Sequence, residues 1–191
     1  MNPRGLFVLI LSIIYISGCV GSNVADSIPT ENLPDSLKLL NKIDETKAYG
    51  VNKATGFGYA DPEKHHVAQV DVFELKSSQN VEIEVSDRIK LDKMTMNVSV
   101  MRGTTAEIIE ETITIEGVSV RHQQRKDYHP AQKDSENILY SIMDWYYMTL
   151  DETFIRIGSN EYSGETQLSY DEVGLKLTKL IVENLKKNKL V

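Results

Sequence analysis

Asp61-x-Glu63-x-His65-His66 gathers two carboxylates and two imidazoles within six residues, all of them ligand types for a divalent metal. Adjacent residues on a strand point to opposite faces, so the two histidines diverge. There is no H-E-x-x-H and no histidine pair at helical spacing. The motif therefore reads as a polar hairpin end, and no metal site is assigned. A metal-dependent hydrolase using His65 or His66 would need a further ligand, such as His122 or His129, from elsewhere in the fold.

Residues 123–130 (QQRKDYHP) form a polar run that reads as a connection between strands. Within it, Arg125 and Tyr128 are candidate contacts for an anionic partner or ligand. A catalytic nucleophile is harder to find. No G-x-S-x-G occurs, and Ser163-Gly164 has no apolar strand before it. Glu110-Glu111 and Asp151-Glu152 are neighbours along the chain, which rarely converge on one substrate. Gly56-x-Gly58 lacks the third glycine and the helix of a dinucleotide loop. No catalytic residue and no cofactor is assigned. Trp145-Tyr146-Tyr147 is the richest aromatic cluster, and alternation puts Trp145 and Tyr147 on one face. These two are candidate ligand or partner contacts, since aromatics give large contact area with a polar tip. Asn97-Val98-Ser99 fits an N-glycosylation sequon.

The chain has 191 residues and a net charge of −7, enough length for one domain with a sizeable core. The negative balance argues against nucleic acid and against adhesion to anionic headgroups. Residues 6–16 (LFVLILSIIYI) are apolar and follow Arg4. A spanning helix needs roughly 17–25 such residues, so this run has the layout of a secretory leader instead. It closes on Ile16-Ser17-Gly18-Cys19, with the only cysteine of the chain. This segment resembles the lipobox of prokaryotic lipoproteins. That resemblance implies cleavage after residue 18, lipidation of Cys19, and a place on the extracytoplasmic side of the cell membrane. A diacyl modification would anchor stably where a single chain binds only marginally.

Residues 19–34 then read as the lipidated cysteine and a flexible tether, and 35–191 as one domain. Asp35 is a plausible cap for a short helix carrying Leu37, Leu40 and Ile43. Residues 55–60 and 67–75 read as a hairpin around a turn at 61–64. Segment 77–93 fits a helix by length and charge, although Val81, Ile83 and Val85 also alternate. From 95 to 158 the pattern is β: alternation through Met94, Met96, Val98 and Val100, a parity change at Gly117, and an apolar strand over 138–149. Ser169-x-x-Glu172 is a capping box ahead of a stripe formed by Val173, Leu177, Leu180, Ile181 and Leu185.

This order predicts an α+β fold: a single antiparallel sheet with helices packed on one face, closed by the C-terminal amphipathic helix. The element order is similar to small α+β surface lipoproteins of microbes. The function it supports is a membrane-anchored, non-enzymatic module that binds another envelope protein or a small ligand. A different reading is a carrier holding a lipid or other hydrophobic ligand in a sheet–helix cavity.

Overall fold

The computed structural model describes residues 23–45, 51–61, 66–75, 81–98, 105–129, 139–163 and 172–191. Cys19, His65, Ser99 and Ser169 lie outside these residues. Seven strands build one open antiparallel sheet: β1 (Lys38–Glu45), β2 (Val51–Asp61), β3 (His66–Leu75), β4 (Thr105–Ile115), β5 (Val118–His129), β6 (Leu139–Leu150) and β7 (Thr153–Ser163). Their order is β1-β2-β3-β7-β6-β5-β4. Two meanders, β1 to β3 and β4 to β7, thus meet where β3 pairs with β7. Helix α1 (Val81–Val98) connects them, and α2 (Val173–Lys187) closes the chain.

The sheet carries the architecture, and the expected gathering of helices on one face is overturned by strand parity. Val70, Val72, Tyr146, Met148, Ile155 and Ile157 pack with α2. Phe73, Tyr147 and Phe154, of opposite parity on the same strands, pack with Val81 and Val85 of α1. The two helices therefore lie on opposite faces. On α2, Val173, Leu177, Ile181, Val182 and Leu185 are fully buried. Each contributes about 1.5–3 kcal/mol by leaving water.

Four local expectations are also corrected. Residues 38–45 form the edge strand β1 rather than a helix, with a register shift between Leu39 and Asn41. Met94, Met96 and Val98 end α1 instead of opening a strand. Residues 123–129, read as a loop, continue β5, and Arg125 pairs with Met143 in the ladder. The stretch read as tether is packed from Asn23 onward: Ala25, Ser27 and Ile28 are buried. Asn184 Nδ2 donates to the Ser27 carbonyl at 3.1 Å, and the Tyr59 hydroxyl donates to the Pro29 carbonyl at 2.9 Å.

The parity change at Gly117 is a tight turn. Glu116 and Gly117 have φ of 49° and 89° between Ile115 and Val118, the paired positive dihedrals of a two-residue hairpin. The expected capping box does not start α2. Glu172 itself is left-handed and makes no side-chain cap, and Glu161 Oε1 of β7 accepts from the Val173 amide at 2.6 Å. A carboxylate from the sheet thus satisfies one open donor and favours the positive helix end.

Candidate functional site

On the α1 face, beyond the end of the sheet that α1 covers, lies a groove of about 440 Å³. Its floor is made where strand glycines leave the sheet without side chains: Gly56 and Gly58 of β2, and Gly158 of β7. Alternate glycines on one strand face mark a place where something else approaches the backbone closely. Trp145, paired with Gly158 across β6 and β7, fills one such space. A Cβ on Gly158 would stand 2.7 Å from Cη2 and 2.8 Å from Cε3 of the indole. Asn41 does the same at Gly58, its carboxamide oxygen occupying the place of a Cβ. Apolar Ile43, Val67 and Met143 and the amides of Gln69 and Asn160 complete the walls.

No ionisable side chain lines this groove among the described residues. The cation beside Trp145, Arg156, is committed elsewhere. Arg156 donates from Nε and Nη2 to Asp71 Oδ2 at 3.0 and 2.7 Å, and from Nη1 to Asp92 Oδ1 on α1 at 3.1 Å. Its guanidinium also lies 4.9 Å from the Trp145 ring centroid, a stabilising cation–π arrangement. Burial raises the Asp92 pKa, and the attraction of Arg156 and the Tyr147 hydrogen bond offset part of that rise. The Trp145 Nε1 is buried without a hydrogen-bond partner among the described residues.

A second, acidic hollow of about 320 Å³ sits on the α2 face. There His122 Nε2 lies 2.8 Å from Asp144 Oδ1, and its Nδ1 lies 3.1 Å from Glu111 Oε1. Its ring stacks on Tyr146 with centroids 4.5 Å apart. Both nitrogens face acceptors, which only the doubly protonated imidazolium satisfies. In that form the ring has no lone pair to act as a base. Burial pulls the His122 pKa down, but the bonds to Asp144 and Glu111 and their charges outweigh it, leaving it raised.

The structure separates the residues singled out from sequence. Trp145 lines the groove, whereas Tyr147 is buried beneath α1, with its hydroxyl 3.0 Å from Asp92 Oδ2 and 3.2 Å from Gln123 Oε1. Arg125 is 1% exposed, and its Nε donates to Asp127 Oδ1 at 2.6 Å, which removes it as a surface contact. The Tyr128 backbone lies in β5 opposite Tyr140. His66 is buried at the start of β3 opposite Asp61. Among the described residues, no three or more His, Cys, Asp or Glu are grouped to hold a metal ion. Sequence reasoning missed Asn41, Gln69, Asn160 and the glycine floor. The period-two glycines in 55–60 and Gly158 in the last strand were the available signal.

No known protein family matches the chain, and no curated protein matches it. Among solved structures, the extracellular domain of PknH from Mycobacterium tuberculosis is similar at 10% identity. The match has a TM-score of 0.44 and covers 80% of this chain and 86% of that one. Among the described residues, no helix is long and apolar enough to cross a membrane.

Proposed function

We propose that this chain is an extracytoplasmic, lipid-anchored binding protein that holds a small ligand in the groove over Gly56, Gly58 and Gly158. The groove itself carries this reading. Small-molecule sites are concave hollows of about 300–1,000 Å³ with mostly apolar walls and a few placed polar groups. The groove has that size and that mixture. The reading as a carrier with a sheet–helix cavity is less well supported, because buried side chains fill the layers beneath α2 and α1. Anchoring rests on the leader and on the resemblance of Ile16 to Cys19 to a lipobox.

Two measurements test the two halves of the proposal. Native mass spectrometry of protein extracted from its own membranes should show a bound adduct of constant mass. Gly56→Ile raises a side chain from the groove floor, where a Cβ meets only Asp71 Oδ1 at 3.4 Å, and should lose the adduct while keeping its unfolding temperature. An adduct retained by that variant removes the groove as the site. Cys19→Ser should abolish acyl labelling and detergent-phase partitioning, and unchanged labelling would remove the localisation.

A further inference from the structure

We infer that the ligand of this groove is a neutral carbohydrate, stacked on Trp145 and hydrogen-bonded by the amides of Asn41, Gln69 and Asn160. The inference rests on the binding reading above and narrows it by chemistry. Charge comes first. The described lining has no ionisable side chain, and Arg156 already faces two carboxylates, Asp71 and Asp92. An anionic ligand would shed its water and gain no counter-charge, and a cationic one would meet only Asp71 beside Gly56, a carboxylate already paired with Arg156 and Gln69.

Polarity then decides between a hydrocarbon and a hydroxylated ligand. Carboxamides carry both donors and acceptors. Gln69 spends Nε2 on Asp71 Oδ1 at 2.8 Å, which fixes its position and keeps its Oε1 as an acceptor. An acyl chain laid in the groove would strip water from such groups and offer nothing in return. A sugar replaces that water with hydroxyls, each both donor and acceptor.

The apolar part of the lining fits the same ligand. A pyranose ring has a face of polarised C–H bonds, and an indole face carries the negative side of its quadrupole. Over Gly56, the floor glycine that neither Trp145 nor Asn41 covers, a ring-thick ligand can lie close to the sheet and beside the indole. Ile43 and Val67, 51% and 45% exposed, then flank it as apolar walls.

Trp145 is the only tryptophan of the chain, so intrinsic emission reports directly on the groove. The full-length protein, in a detergent without a sugar headgroup, is titrated with maltose, cellobiose and N,N′-diacetylchitobiose. Parallel titrations use a hexuronate disaccharide, decanoate and adenosine. A saturable emission change is expected with at least one neutral disaccharide. Binding should weaken about tenfold, a loss of about 1.4 kcal/mol, in Asn41→Ala and in Gln69→Ala. The hexuronate should bind at least about tenfold more weakly than its neutral counterpart. No saturable response to any of the three disaccharides overturns the inference, as does equal binding of the hexuronate. Decanoate or adenosine binding that Gly56→Ile abolishes, without sugar binding, overturns the carbohydrate assignment while leaving the binding groove standing. Failure of the groove itself is read separately, from an adduct that survives Gly56→Ile.

Discussion

His122 stands between Glu111 and Asp144 with both ring nitrogens engaged, so its proton count is linked to folding. Its folded pKa is raised, while in the unfolded chain it returns to about 6.5. The folded state then binds the extra proton more tightly. The stabilisation is complete below about pH 6.5 and disappears as pH rises through the higher folded value. Thermal unfolding of the wild type should therefore shift to lower temperature across that window, and His122→Gln should flatten the dependence. A wild-type profile already flat from pH 6 upward would refute the imidazolium. Arg156 makes the second prediction at this scale. Arg156→Met leaves Asp71 and Asp92 without their shared partner and should cost about 3–5 kcal/mol in chemical denaturation. A loss near zero would mean that water replaces the guanidinium. The pairing of Trp145 with Tyr147 on one face was legible in the sequence, because strand alternation needs only neighbours. The Glu111–His122–Asp144 trio was not, since it exists only through the register of β4 on β5 and β5 on β6. Arg125 failed as a surface residue for the same reason. Once β5 runs through 123–129, a residue in a polar run becomes the centre of a ladder.

At the level of elements, α2 shows how a strong period survives folding. Leu177 and Ile181 are fully buried against β-strand side chains of the α2 face, whereas Leu180 on the flank is only half-buried. Leu177→Ala should cost about 2–5 kcal/mol. Leu180→Ala, read by the same denaturant titration, should lose clearly less. Equal losses would mean that the stripe is misphased. The start of α2 could not be read locally, because its cap, Glu161, comes from the preceding strand rather than from a capping box. Helix α1 was harder for a related reason. It buries Val81, Val85 and the polar Asp92, yet leaves Ile83, Leu91 and Met94 more than half exposed, so no clean apolar stripe marks it. At its end, the alternation of Met94, Met96 and Val98 imitates a strand. Edge strand β1 misled in the opposite direction. Leu37, Leu40 and Ile43 recur every three residues like a helix face, and Leu40 falls where the register shifts, 69% exposed. An irregular edge of this kind also discourages pairing with another chain.

For the whole molecule, the packing of residues 23–29 changes what an anchor at Cys19 would do. A tether running to residue 34 would let the domain stand tens of ångströms off the bilayer. With Ala25, Ser27 and Ile28 buried, only the link from Cys19 to Asn23 remains, which spans at most about 14 Å fully extended. A domain of this size has a radius of gyration of about 15 Å, so the leash is shorter than the body it holds. The chain carries a net charge of −7, which opposes adhesion to anionic headgroups. Were Cys19 lipidated, height above the bilayer would be set by this leash and not by attraction to the surface. Inserting ten Gly/Ser residues between Cys19 and Asn23 would lengthen the root-mean-square reach of the link from about 10–12 Å to about 19–22 Å. In vesicles carrying an acceptor-labelled lipid, energy transfer from Trp145 should fall on that insertion and recover when the spacer is removed. The same transfer should be insensitive to salt. Transfer unchanged by the spacer would show that a surface of the domain itself grips the membrane, and would end the reading of the leash as the element that fixes its height.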